Sequence, residues 1–154
     1  MSLDLGHPSL ELAFAETPLS IVQFTPIQAI PRPLLDALVQ ENAPSFFSIT
    51  RTRAETSIIA EKALIDRLYS PSNTSSDSPD IPHENSGPWR ALVVKGPMDL
   101  SLTGILHALT GPLKDAGVPV FASSTWDTDY VLINEDKQED ARKALLAAGW
   151  RFSP

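Results

Sequence analysis

The chain contains no cysteine, which excludes a disulfide framework, a thiolate zinc site and a cysteine nucleophile. That absence is compatible with a reducing compartment. Positive charge is also scarce: 12 Lys and Arg stand against 19 Asp and Glu, for a formal net charge of -7. Nucleic acid and anionic membrane both require clustered positive charge to displace counterions, so neither is expected as a partner. No apolar run approaches the roughly 20 residues needed to span a bilayer. The start, MSLDLGHPSLELAF, lacks the basic opening and continuous apolar stretch of a signal peptide. These absences predict a soluble, cytoplasmic protein.

Motifs for common chemistries are missing as well. There is no H-E-x-x-H, no Walker loop and no G-x-G-x-x-G, and the acidic pair Asp127 and Asp129 lacks the remaining ligands of an EF-hand. No metal or cofactor is therefore expected. His107 stands four residues from Thr103, one helical turn away, but no nucleophile elbow accompanies the pair. On an otherwise apolar helix this histidine reads as a packing residue, and the chain as something other than an enzyme.

What is present is alternation between strand-like and helical segments. At 154 residues the chain can bury roughly 68–70% of the surface its unfolded form exposes, enough for one domain or two small modules. The sharpest change in composition is SPSNTSSDSPDIPHENSGP, residues 70–88, where Pro, Ser, Asp and Asn leave little to bury. It predicts a linker dividing a module over 10–69 from a module over 89–154.

In the later half, RALVVKG (90–96) predicts a strand stopped by Gly96 and Pro97. Leu102, Ile105, Leu106, Leu109, Leu113 and Ala116 recur at steps of three and four, predicting a helix that ends at Gly117. Pro112 should bend or interrupt it, because proline removes a backbone donor. VPVFASS (118–124) and DYVLI (129–133) predict two strands, and 134–148 a second helix with Asn134 as cap and Gly149 past its end. The order is β-α-β-β-α, the ferredoxin-like pattern without its last strand. Only residues 150–154 remain, so that strand must be very short or come from elsewhere.

The earlier half repeats the order more faintly. LSIVQFT (19–25) predicts a strand, PRPLLDALVQ (31–40) a helix opened by proline, FFSITRT (46–52) and TSIIAE (56–61) a pair about a turn at 53–55, and KALIDRLY (62–69) a second helix. Two matching halves suggest tandem duplication.

These residues carry a family resemblance. GPMDLSLTGILHALTGPLKDAGVPVFASSTWDTDYVLI (96–133) and FFSITRTRAETSIIAE (46–61) resemble the ACT-domain segments of small tandem-ACT proteins and CASTOR-type amino-acid sensors, with S-T-x-x-T-D-[YF]-x-L-[VI] at 124–133 the most specific part. The resemblance implies two ferredoxin-like βαββαβ modules of α+β class with antiparallel sheets. It implies a regulatory protein that binds a free amino acid at the seam between ACT units and acts through a homodimer or a regulated protein partner. The alternative is an ACT-fold dimerisation protein with no small ligand. Carried over residue by residue, the contacts would be Asp99, Leu102, Thr103, Gly104 and Ile105 at the helix start, Thr125, Trp126, Thr128 and Asp129 in the later loop, and Ser57 and Ile58 from the first half. Leu102 and Asp99 depart from the arginine-sensing members, which carry an acidic residue and a glycine there, and this disfavours arginine.

Chemistry supports several of these positions on its own terms. Backbone N–H groups at a helix start can accept a carboxylate, and Gly104 permits close approach. An ammonium needs an acceptor such as Asp129, Ser57 or Thr125. The structural alternatives stand beside these: Asp129 and Asp127 as turn formers, Asp99 as a helix cap, Thr103 and Gly104 as close helix packing, and Trp126 as either a pocket wall or the cover of a domain seam.

Overall fold

The computed structural model describes residues 3–40, 45–70, 81–97 and 104–154. In chain order the elements are β1 (Leu12–Phe14), β2 (Leu19–Phe24), α1 (Arg32–Val39), β3 (Phe47–Arg51), β4 (Thr56–Glu61), α2 (Lys62–Leu68), β5 (Glu84–Val94), α3 (Ile105–Asp115), β6 (Val120–Ser124), β7 (Asp129–Asn134) and α4 (Gln138–Ala147). They fall into two compact units, one of residues 17–89 and the other of residues 1–16 with 90–154. The pairs β1–β5, β2–β4, β2–β5, β3–β4 and β6–β7 are antiparallel, and the fold class is α+β.

In the unit of residues 17–89, β3, β4 and β2 lie side by side, and the first half of β5 pairs with the outer side of β2. Apolar residues of β2 and β4 alternate inward, so Val22, Phe24, Ile58 and Ala60 meet Leu34 of α1 and Ile65 of α2 in one core. Pro31 caps α1 with φ -58°, which the helix start tolerates because its first N–H groups have no intrahelical partner anyway. The element bounds lie within a residue or so of those the sequence predicts.

In the other unit the strand order is β1-β5-β7-β6, with the second half of β5 used. Leu12, Leu92, Val94, Ile133, Leu109 and Trp150 are among its core residues. Pro112 neither stops nor splits α3. A proline there leaves the carbonyl of the residue four earlier, Ala108, without its helical donor. The indole Nε1 of Trp150 supplies one, donating to Ala108 O at 3.3 Å. Helix α4 ends in a left-handed Gly149 (φ 94°), where Trp150 N–H bonds back to Leu145 O at 3.0 Å.

Three expectations need correction. The N-terminal segment does not belong to the first module: Leu10 and Leu12 are buried in the core formed with residues 90–154. β1 pairs with β5 in register Leu12↔Val94, and Leu12 also bridges Phe152 in parallel. The ferredoxin-like strand missing from the C-terminal half is thus supplied by the N-terminus, because the chain end offers only a single bridge. The polar stretch 70–88 is not linker throughout either. β5 begins at Glu84, since exposed polar residues can still exchange ladder bonds with β2; residues 71–80 lie outside the described ones. Finally, Asn134 makes no side-chain cap; a 3-10 turn, Glu135–Lys137, precedes α4.

Candidate functional site

The hairpin β6–β7 closes on the four residues Thr125, Trp126, Asp127 and Thr128. Thr125 donates its N–H to Thr128 O at 2.9 Å and its hydroxyl to the same oxygen at 3.2 Å. The Thr128 hydroxyl donates to Val94 O at 2.6 Å, fixing the loop to the end of β5. Behind the loop, Ser124 Oγ donates to Asp129 Oδ1 at 2.5 Å. The threonines therefore have a local task, closing the turn and tying it to β5. Trp126, 79% exposed, stands clear of the turn.

β5 ends at the anchor point of this loop, and the segment after it leads to α3. The helix opens at Gly104, in the left-handed region at φ 84°, with no side-chain cap and, among the described residues, nothing within 4 Å of where a Cβ would lie. Its first intrahelical bond runs from Ala108 N–H to Gly104 O at 2.8 Å. The N–H groups of the first turn are thus the kind a helix leaves for water or an anion. The N-terminal segment braces the start of the β5–α3 connection: Lys95 N–H donates to Glu11 O at 2.8 Å and Gly96 N–H to Ser9 O at 2.9 Å. Lys95 Nζ lies 3.1 Å from Glu11 Oε2. The hydrogen bond from Lys95, then its charge, holds the Glu11 carboxyl below its ordinary value.

Of the positions expected to meet a ligand, Asp99, Leu102 and Thr103 lie outside the described residues. Gly104 is exposed at the start of α3, and Thr125, Trp126, Thr128 and Asp129 share the hairpin end. Ile105 is a core residue, 4% exposed, leaving only its main chain for recognition. Ile58 is fully buried among the core residues of the other unit, on a strand paired on both sides. Ser57, half-buried, is its neighbour on β4. His107 is exposed, not a packing residue, because the buried positions of α3 are Ile105, Leu109 and Leu113. Among the described residues no group of three His, Asp or Glu is arranged to hold a metal.

Some features were missed by sequence reasoning. The first unit carries a turn of the same design: Thr52 donates its N–H to Glu55 O at 2.8 Å, and its hydroxyl accepts from Ala54 and Glu55 N–H at 3.1 and 3.2 Å. The signal was available as a threonine opening both four-residue turns, TRAE and TWDT. Thr56 takes the position after its turn that Asp129 takes after the other. Its fully buried hydroxyl has no hydrogen-bond partner among the described residues.

A comparison with curated proteins found no match. Among solved structures, a protein of Agobacterium tumefaciens is similar over 96% of this chain and 94% of its own, at 24% identity and a TM-score of 0.69. A protein of unknown function from Vibrio cholerae is similar over 91% and 90%, at 13% identity and a TM-score of 0.62. The regulatory subunit of aspartate kinase from Thermus flavus is similar over 90% and 96%, at 12% identity and a TM-score of 0.59. These likenesses establish a shared fold. Residues 86–147 match the family model described as ACT domain.

Proposed function

We propose that this protein is a regulatory module that binds a free amino acid and conveys its presence through a protein contact. The observation that carries the reading is the ACT match over residues 86–147, which spans both the start of α3 and the S-T-x-x-T-D hairpin. Its fold resemblance to a regulatory subunit of aspartate kinase supports the same reading. The ligand carboxylate is received by main-chain N–H groups at the start of α3, around Gly104 and Ile105, with Asp99 and Thr103 in the segment before them. The ammonium is received by Asp129. Ser124 occupies Oδ1 of that carboxylate, and no donor among the described residues reaches Oδ2. Thr125 and Thr128 hold the loop in shape, and Trp126 supplies an apolar wall.

Leu102 replaces the acidic side chain that an arginine ligand would call for, so the ligand side chain is less polar than arginine. Binding favours whichever assembly state carries the ordered site, and the output is a shifted population of protein contacts.

A thermal-shift screen against the twenty amino acids tests this. A ligand at 100 times its dissociation constant stabilises the folded state by about 2.7 kcal/mol. One amino acid, or a narrow chemical group of them, should raise Tm, and Asp129→Ala should abolish that rise. No shift with any amino acid would overturn the reading in favour of assembly without a small ligand.

A further inference from the structure

Strand β1 has three residues near the start of the chain, and residues 17–89 fold as the other unit before the chain returns to the part of β5 that β1 pairs with. Leu10 and Leu12 seat it in the core, so the docked form is the ground state. Bonds hold it on two sides. Leu12 N–H donates to Arg151 O and Ser153 N–H to Leu12 O, both at 2.8 Å. Across from these, Ala15 N–H donates to Ala91 O, while the carbonyls of Glu11 and Ser9 accept from Lys95 and Gly96.

The last two bonds lie beside the anchor of the 124–129 hairpin. Main-chain groups of successive residues in an antiparallel strand turn to opposite sides. Lys95 N–H faces Glu11, so Val94 C=O faces away from β1, where the Thr128 hydroxyl donates to it at 2.6 Å. Gly96, left-handed at φ 66°, then directs its N–H to Ser9 O. Three successive residues thus carry the hairpin on one side and the N-terminal segment on the other. Among the described strands β1 pairs with β5 alone, so it reaches the hairpin only through them.

We infer that residues 9–15 form a releasable strap, and that its docking sets the order of the hairpin through Val94, Lys95 and Gly96. A short strand near a chain end is the kind of element that opens locally before its domain unfolds. When it leaves, Lys95 and Gly96 lose their acceptors, and the end of β5 can shift with the Thr128 anchor on it. Strap and hairpin then share two arrangements, docked with the hairpin fixed and released with it loosened, which is the bistable element that coupling requires. The coupling lies within one unit and stands on these bonds. Its use rests on the amino-acid reading: a ligand held by the hairpin tightens the strap, and by linkage strap release weakens the ligand by the same factor.

Amide exchange on the full chain tests the coupling, first with no amino acid present. Because the chain has no cysteine, a disulfide can serve as an unambiguous lock. Ala13 and Val93 are register partners, and a hydrogen-bonded antiparallel pair holds its Cα atoms about 5.5 Å apart, within the span of a disulfide. In the Ala13→Cys, Val93→Cys protein, oxidation should slow exchange of Thr125 N–H by about 5-fold or more, the lower end of ordinary coupling between sites. Amides of β4 should not respond. Thr128→Val removes the hydroxyl tie, and in that background the same lock should leave Thr125 unchanged. Should the lock fail to form, Lys95→Met decides: it weakens the strap, so exchange at Gly96 and Thr125 should rise by the same factor. Exchange at Thr125 that ignores the strap, or that still follows it in Thr128→Val, overturns the inference. An amino acid that raises Tm should also slow exchange at Gly96, and one that raises Tm without doing so overturns the link to the ligand. If no amino acid raises Tm, the amino-acid reading falls, and the ligand-free exchange decides the strap by itself.

Discussion

The contact between Trp150 and the broken ladder of α3 gives a quantitative prediction. Pro112 cannot donate to Ala108 O, and Trp150, 2% exposed, donates to it instead. Trp150→Phe keeps most of the aromatic packing but leaves that carbonyl without a donor, which costs about 1–3 kcal/mol for a buried polar group. For a chain of this size each kcal/mol lowers Tm by about 2–4 °C. Pro112→Ala restores the peptide N–H that α3 would ordinarily use. In the Pro112→Ala background the same Trp150→Phe change should therefore cost less, by about 1 kcal/mol, the net worth of one hydrogen bond. Urea unfolding followed by circular dichroism on the four proteins measures this directly. The volume lost with the indole and the chain-entropy effect of proline cancel in the cycle. A coupling below about 0.3–0.5 kcal/mol, the scatter of independent sites, would refute the argument.

Other outcomes follow from the same unit. Arg142 stands over the rings of Phe152 and Phe14, 4.3 and 5.5 Å from their centroids, and the two rings stack at 5.8 Å. Phe152→Leu keeps apolar bulk but loses both interactions, and should destabilise by about 1 kcal/mol in urea unfolding. Removing residues 1–16 should raise amide exchange in β5 and α3 while leaving β2 and β4 as protected as before, because the deleted strand packs within the unit of residues 90–154; equal loss in both would count against that assignment. Glu11 has a folded-state pKa below its ordinary 4.5, so its pairing with Lys95 contributes above that value and is lost as pH falls through the lowered one. Lys95→Met should accordingly be less stable than wild type near neutrality, and the gap should close below about pH 4.5.

Much of the fold is legible along the chain because its signals are local. Hydrophobic spacing marks α3 from Ile105 through Leu109 to Leu113, and glycines at 117 and 149 mark the helix ends. Alternating apolar residues mark β2, β4 and β7. Pro112 was legible as a defect but not as a repaired one, since its repair comes from Trp150, 42 residues away from Ala108. Asn134 has the composition of a cap yet makes no cap bond, because a 3-10 turn precedes the helix proper.

The candidate site divides the same way. The hairpin at 124–129 stood out by its polar composition, but its threonines could not be separated into turn builders and ligand contacts without the bond from Thr128 to Val94. Burial of Ile58 and exposure of His107 likewise depend on which strand and helix faces meet.

The sequence by itself determined the doubled β-α-β-β-α order, the acidic balance and the absence of thiolate chemistry, since each follows from residue type and near-neighbour spacing. Only the tertiary structure decided what fills the place of the missing strand, because strand pairing is non-local. β1 reaches β5 across some eighty residues of chain, held by Leu12 against Val94 and by Leu12 against Phe152, and no local pattern in the N-terminal segment records which partner it will find.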